Sequence, residues 1–109
     1  MTRKEYVNEC KQHFNQFLEG KKVLIKYIKN KKSERVGVIV AFKAVNDVLV
    51  GVSRCNKNSG DRWNKYVGIS KAINSAVPIE QVSELNVPRS AVEIFNHQLE
   101  RVSKYYKLV

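Results

Sequence analysis

The stretch ERVGVIVAF, which runs from Glu34 to Phe42, decides the fold of this chain. Its residues alternate with the period of two that places successive side chains on opposite sides of a β-strand. One side carries Val36, Val38, Val40 and Phe42, and the other carries Arg35, Gly37, Ile39 and Ala41. The stretch therefore predicts a β-strand that helps to build the core.

Two neighbouring stretches have the same period. KKVLIKYIK, residues 21–29, comes before this strand, and NDVLVGVSR, residues 46–54, comes after it. The segments between them, 30–33 and 43–46, are short and polar enough to be hairpin turns. Hairpin turns join strands that run in opposite directions, so the three strands are expected to form an antiparallel meander.

Helical spacing flanks the strands on both sides. Apolar residues at steps of three and four predict an N-terminal helix over about 3–19 and a second helix that begins within 61–64 and runs to about residue 76. A third helix is expected to begin near Ser90, because Ser90 and Glu93 have the spacing of a capping box. An apolar stripe is expected along this helix to near the C-terminus, and its members are Ala91, Ile94, Phe95, Leu99, Val102 and Tyr106.

The order of elements is thus helix, three strands, helix, helix, with segment 79–87 open between a helical turn and a strand. No repeat or low-complexity linker divides the chain, which predicts a single α+β domain over 1–109. It consists of an N-terminal helix, a three-stranded antiparallel meander and two C-terminal helices. All the helices are expected to pack on one face of the sheet.

Positive charge is concentrated in the middle of the chain. The sequence has 20 Lys and Arg against 10 Asp and Glu, a formal net charge of +10. Segments 1–20 and 76–109 are each neutral overall, so the whole excess lies within 21–75. A segment this cationic predicts an anionic partner, and above all one that carries phosphate.

Several classes of protein are disfavoured by what the sequence lacks. No apolar run approaches the roughly 20 residues of a membrane helix, and the first ten residues lack a signal-peptide run, so a cytoplasmic protein with no membrane partner is expected. Cys10 and Cys55 are expected to be reduced thiols, and His13 and His97 are too isolated for a zinc site. With no catalytic motif, the chain is expected to be neither an enzyme nor a carrier of a metal or cofactor.

The least regular stretch, CNKNSGDRWNKY over 55–66, is the candidate site. It combines cations for phosphate, aromatic rings for base stacking and Asn side chains for base edges, and it leads into a helix start that favours anions. The phosphate-binding candidates are Arg54, Lys57, Arg62, Lys65 and Lys71, and the base-stacking or base-reading candidates are Trp63, Tyr66, Asn56 and Asn64. The alternative role of Trp63 is that of a core anchor packed under the sheet. The alternative for the cationic residues is that they only form a solvated surface.

Two further features bear on partners. A second basic cluster covers the first hairpin, where it indicates either an anion-binding surface or protection of a sheet edge. Its members are Lys21, Lys22, Lys26, Lys29, Lys31, Lys32 and Arg35. The last helix is apolar at its end, with Tyr105, Tyr106, Leu108 and Val109, which favours a homo-oligomer that forms through this helix.

The order of elements from Arg3 to Ala76 is similar to that of the double-stranded-RNA-binding domain. That family has a Gly-Pro-containing loop between its first two strands and a Lys-Lys-x-x-Lys start to its second helix. Here the loop is Asn30-Lys31-Lys32-Ser33, and the helix begins Arg62-Trp63-Asn64-Lys65. The resemblance is therefore one of topology, and it implies an RNA-binding module.

Segment 50–76, which is about a quarter of the chain, resembles a signature of small bacteriophage-encoded proteins. In that signature a strand ending G-x-S-x-C-N leads through a D-x-aromatic-N-K turn to a helix with Gly and Ala. The matching positions are Gly51, Ser53, Cys55, Asn56, Asp61, Trp63, Asn64, Lys65, Gly68 and Ala72. The departures are Trp63 in place of Phe, a loop about two residues longer and no Arg near the helix end.

A sheet followed by two helices also looks like the Thoeris anti-defence sponges, which sequester cyclic ADP-ribose-type or cyclic oligonucleotide signals as oligomers. The resemblance implies a phage-type protein that works in the host cytoplasm against a host defence protein. The leading hypothesis is a non-catalytic protein that sequesters an anionic, cyclic nucleotide signal. The alternative is a nucleic-acid-binding protein, either an RNA-binding module or an anti-CRISPR-like inhibitor of a host nucleoprotein complex. A third hypothesis is an inhibitor whose basic hairpin docks on an acidic host protein.

Overall fold

The computed structural model describes residues 2–18, 22–44, 46–55 and 63–107. Within these ranges the chain forms an α+β fold, as the sequence predicts. The elements in chain order are α1 (Arg3–Leu18), β1 (Leu24–Lys29), β2 (Arg35–Ala44), β3 (Asp47–Arg54), α2 (Lys65–Asn74), β4 (Val77–Pro78), two 3-10 turns (Ile79–Glu84 and Arg89–Ala91) and α3 (Val92–Tyr105).

The sheet is antiparallel, and its strands lie in the order β1-β2-β3-β4. Val40 at the centre of β2 pairs with Ile25 on one side and with Gly51 on the other, so the predicted meander is confirmed. The first hairpin is closed by Asn30, whose Oδ1 accepts hydrogen bonds from the amides of Lys32 at 2.9 Å and Glu34 at 3.0 Å. This side-chain turn sets the register that the alternating strands require.

The prediction of three strands is wrong by one short strand. Val77 and Pro78 pair with Val50 and Leu49 at the outer edge of β3 and form β4. Two residues are too few to show a period of two, and a proline after a helix normally marks only where the helix stops. Pro78 is tolerated here because it lies at the edge of the sheet, where no further strand needs its missing N–H.

Helices cover both faces of the sheet, so the prediction that all of them pack on one face is also wrong. The α1/α2 face of the sheet is the one on which Val38, Val40 and Phe42 contact Ile69 and Ala72 of α2. The α3 face is the opposite one, built from Leu24, Ile39, Ala41, Val48 and Val50 with Phe95 and Val102 of α3. The physical reason is β2 itself: all seven residues from Val36 to Phe42 are buried, and two apolar faces need two covers.

A β-bulge interrupts the alternation at the start of β2. Ile28 pairs with Gly37 and Lys29 with Arg35, which leaves Val36 as the extra residue of the bulge. Val36 consequently belongs to the core on the α3 face, not to the side of Val38 that the sequence pattern assigns to it. Arg35 is turned to the α1/α2 face, where its guanidinium lies over the ring of Tyr27.

Helix α1 extends through Leu18, and residue 19, the predicted end of the helix, lies outside the described residues. Its cap is the Thr2 hydroxyl, which accepts a hydrogen bond from the Glu5 amide at 3.1 Å. Phe17 packs edge to face on Phe42 of β2, with ring centres 4.8 Å apart. Of its 16 residues only Cys10 is buried, so α1 is held to the sheet by few contacts.

The capping box predicted from Ser90 and Glu93 is absent. A 3-10 turn occupies Arg89–Ala91, and Ala91, which has no side-chain cap, precedes the first turn of α3. The predicted apolar stripe of α3 is confirmed, because all its members pack on the α3 face. They are Ala91, Ile94, Phe95, Leu99, Val102 and Tyr106. Among the described helices, none is long and apolar enough to span a membrane.

Polar side chains also tie α3 to the edge strand β1. Gln98, only 1 % exposed, donates from Nε2 to the carbonyl of Leu24 at 3.1 Å, and Arg101 donates to the carbonyl of Ile25 at 3.4 Å. The Tyr106 hydroxyl donates to the carbonyl of Lys22 at 3.2 Å. Burial raises the pKa of Tyr106 above its ordinary value of 10.0, and the neighbouring Tyr105 raises it further.

We predict that Tyr106→Phe lowers stability at neutral pH by about 1 kcal/mol, the usual value of one hydrogen bond. The contribution of Tyr106 is complete below pH 10.0, the ordinary pKa, and is lost as pH rises through the higher pKa of the folded protein. The stability gap between the wild type and Tyr106→Phe should therefore narrow above pH 10. Urea unfolding at a series of pH values measures the gap, and a gap that stays constant or widens contradicts the prediction.

Candidate functional site

A small cleft opens where β3 ends and α2 begins. We call it the α2 cleft, and the described residues that line it are Arg3, Ser53, Arg54, Cys55, Trp63, Asn64, Val67, Gly68 and Lys71. Its cavity volume is about 70 Å³. At about 10–15 Å³ of such volume per water molecule, it has room for several waters. The cavity can therefore hold a small polar group.

Close packing of α2 on β3 positions the cleft. Gly51 of β3 lies directly under α2, and a Cβ at this position would strike the carbonyl oxygen of Ala72. One turn of α2 before Ala72, the carbonyl of Gly68 accepts a hydrogen bond of 2.6 Å from the Ser53 hydroxyl. The lack of a side chain at Gly51 and the hydrogen bond of Ser53 together hold α2 against β3, which fixes the distance between the two walls of the cleft.

Asn64 caps the start of α2. Its backbone is extended, and its Oδ1 accepts hydrogen bonds from the amides of Tyr66 at 3.0 Å and Val67 at 3.2 Å. The sequence predicts a helix start within 61–64, and the cap of α2 is Asn64, the last residue of that range. Since the side-chain oxygen is bound within the helix, any contact of Asn64 with a base would use its amide nitrogen.

Trp63 is half-buried and serves as a wall of the cleft. Its six-membered ring lies over Gly68, 2.6 Å from where a Cβ would stand, and its ring centre is 6.3 Å from that of Tyr27 at an angle of 90°. The indole therefore packs against the α1/α2 core and lines the cavity at the same time. Core anchor and site residue, the two alternatives for Trp63, are compatible in this geometry.

Three cationic residues line the cleft: Arg54 from β3, Lys71 from α2 and Arg3 from the first turn of α1. None of the described residues that line it is acidic, so the described lining carries only positive formal charges. Sequence reasoning proposed Arg54 and Lys71 but missed Arg3. Residues 1–20 are neutral overall, and only the fold brings the start of α1 next to the end of β3.

Lys65 and Tyr66, also proposed from the sequence, lie on the neighbouring surface between α1 and α2. The ring of Tyr66 is near the ammonium groups of Lys65 at 5.0 Å and Lys11 at 5.7 Å, and it is tilted against Phe14 at 6.3 Å. Neither Lys65 nor Tyr66 is among the residues of the cleft. Three other proposed residues, Asn56, Lys57 and Arg62, lie outside the described residues.

Comparison of the chain with protein-family models, with curated proteins and with solved structures gives no match. The thiol of the α2 cleft, Cys55, is half-buried and, like the buried Cys10, forms no disulfide. Within the described part of the chain, no group of three or more His, Cys, Asp and Glu side chains is arranged to hold a metal ion.

Gly51→Ala and Gly68→Ala form a matched pair that tests how the cleft is built. At Gly51 the new methyl group meets backbone, and overpacking of this kind costs about 1–3 kcal/mol. At Gly68 the nearest atoms that it meets belong to the Trp63 ring, and alanine adds about 1 kcal/mol of helix propensity, which offsets part of the cost of that clash. We predict a larger drop in melting temperature for Gly51→Ala than for Gly68→Ala, and a change in Trp63 fluorescence for Gly68→Ala. Equal melting temperatures for the two variants would contradict the packing described.

Substitutions of Asn64 separate its cap from its other groups. Asn64→Ala removes the cap and should lower stability by about 1 kcal/mol, whereas Asn64→Asp keeps an oxygen acceptor and should preserve stability. Thermal unfolding followed by circular dichroism measures both. If Asn64→Asp loses as much stability as Asn64→Ala, the side-chain oxygen is not the group that matters.

Proposed function

We propose that this protein binds an anionic nucleotide without converting it, and that it holds a phosphate group of the ligand in the α2 cleft. The observation that supports this most is the convergence of Arg3, Arg54 and Lys71 with Trp63 around one small cavity. The three cations come from three different elements, so their proximity is a product of the tertiary fold. Cationic residues that only face solvent would not have to come together from three elements around one cavity.

The chemistry of the cleft suits a phosphate group. A guanidinium can bind two phosphate oxygens at once, which fits Arg54 and Arg3, while the ammonium of Lys71 adds a point charge. The cavity of about 70 Å³ has room for phosphate oxygens. In this proposal the rest of the nucleotide lies at the mouth of the cleft, beside the indole of Trp63, which can stack on a base.

The wider proposal is sequestration. A protein that withholds a signal needs tight binding and no turnover, and the resemblance to small phage proteins suggests a cyclic nucleotide signal of a host defence system. We further propose a homo-oligomer that forms through α3. Since Tyr106 packs within its own chain, the contact would use Tyr105, which is 46 % exposed and has the ammonium of Lys22 5.1 Å from its ring centre. The proposed Leu108 and Val109 contacts lie outside the described residues.

Calorimetry tests the binding proposal directly. The panel is cyclic di-AMP, cyclic di-GMP, cyclic ADP-ribose and inorganic pyrophosphate, each titrated into the wild type, Arg54→Gln and Arg89→Gln. Both substitutions remove one exposed positive charge, but Arg89 is not part of the cleft. Because a hydrogen bond to a charged group contributes about 1.5–3 kcal/mol, Arg54→Gln should weaken binding at least tenfold while Arg89→Gln leaves it nearly unchanged.

Two results would contradict the proposal. One is the absence of binding to every member of the panel by folded protein. The other is an equal effect of Arg54→Gln and Arg89→Gln, since that would mean that net charge alone attracts the ligand.

The rival function, binding of nucleic acid, is favoured by one observation on the first hairpin. Lys21 lies outside the described residues, and the other lysines of this cluster are exposed. Arg35 beside them contacts Tyr27, the same ring that touches Trp63. A long anion could therefore run from the α2 cleft toward the hairpin. Release of counterions from several phosphates would make such binding fall steeply with salt, whereas a ligand with two or three phosphates gives a shallow slope.

A further inference from the structure

Three side chains form a continuous stack that leads away from the α2 cleft. Cζ of Arg35 lies 4.0 Å from the ring centre of Tyr27, a cation–π contact. Tyr27 in turn meets Trp63 at a ring-centre distance of 6.3 Å and an angle of 90°, an edge-to-face contact. Neither Arg35 nor Tyr27 lines the cavity, so they reach it only through the indole.

The stack depends on the β-bulge at Val36. Without the extra residue, Arg35 would share a face with Ile39 and Ala41, which lie on the α3 face of the sheet. The bulge turns Arg35 onto the α1/α2 face instead, where Tyr27 and Trp63 are. Bulges are known to re-aim side chains next to functional sites, and here the re-aimed side chain is the cation that covers Tyr27.

The geometry points to Arg35 and Tyr27 as positioning residues that hold Trp63 in the orientation needed to stack on a base at the mouth of the cleft, an inference that rests on the proposed function. Trp63 contacts both Gly68 and Tyr27, and the guanidinium of Arg35 lies over the Tyr27 ring and limits its motion. A fixed aromatic plane binds better than a mobile one, because less freedom is lost when the ligand binds. The ligand class is thus narrowed to anions that carry a base.

The consequence is a distinction between two ligands. Cyclic di-AMP offers both phosphate and a base, whereas inorganic pyrophosphate offers only phosphate. If Arg35 acts through Trp63, its removal weakens binding of cyclic di-AMP and leaves binding of pyrophosphate unchanged. If Arg35 acted as one more positive charge, both ligands would be weakened alike.

The experiment compares Arg35→Gln, Arg35→Lys and the charge-matched control Arg89→Gln with the wild type. Trp63 is the single tryptophan of the chain, so its fluorescence reports the stack without any ligand. We expect Arg35→Gln to increase acrylamide quenching and to speed the decay of anisotropy, Arg35→Lys to restore much of both, and Arg89→Gln to change neither. Tyr27→Leu, checked for folding by circular dichroism, should reproduce the effect of Arg35→Gln.

In calorimetry, Arg35→Gln should weaken cyclic di-AMP about two- to fivefold, the size of one exposed cation–π contact, with pyrophosphate unaffected. Unchanged Trp63 quenching in Arg35→Gln overturns the inference whatever the binding data show. Equal weakening of both ligands overturns it as well. Failure of the wild type to bind any member of the panel refutes the proposed function, and the quenching result then still decides whether Arg35 and Tyr27 hold Trp63.

Discussion

The contact between α2 and β3 at Gly51 is the constraint on which the candidate site depends. A helix normally stands off a sheet by the length of the side chains between them, but here the carbonyl of Ala72 lies where a Cβ of residue 51 would be. The close approach brings Gly68 within reach of the Ser53 hydroxyl and leaves room over Gly68 for an indole. Gly51, Ser53, Gly68 and Ala72 all take part in this contact between α2 and β3, and Trp63 packs on Gly68 beside it.

The second constraint is that β2 is apolar on both faces. Since the α1/α2 face and the α3 face are both covered, the sheet is the middle layer of three, and its central strand is out of contact with water. The cover of α3 buries one polar side chain, Gln98, and burial of a polar group costs free energy. The hydrogen bond from Gln98 to the Leu24 carbonyl of the edge strand β1 offsets that cost. The α2 cleft lies at the rim of the sheet, where β3 ends and α2 begins.

The strands and helices were predictable because their signals are local. A period of two marks β1, β2 and β3, and apolar residues at steps of three and four mark α1, α2 and α3. The two-residue β4 and the extra residue at Val36 were missed, since neither leaves a periodic pattern. In principle, the run from Val36 to Phe42 held the signal for a three-layer fold, because it contains no polar residue on either side.

Half of the candidate site followed from composition, and the other half needed the fold. Arg54, Trp63, Asn64 and Lys71 could be found because cations, rings and a helix start cluster in one segment. Arg3 could not, since it is separated by about fifty residues of sequence from the strand end that it joins. Tyr66 is the opposite case. It is next to the site in the sequence, but its ring lies on another surface, between α1 and α2.

The small buried area of α1 has a consequence for how binding and folding are linked. An element with a single buried residue opens more readily than the rest of a domain, and Arg3, the residue of α1 at the cleft, leaves with it. A chain with α1 open has an incomplete site, so a ligand would select the closed form and stabilise it by mass action. In the absence of ligand, the first 18 residues should then exchange their amide hydrogens faster than the sheet, and an occupied cleft would slow that exchange far beyond the residues it touches.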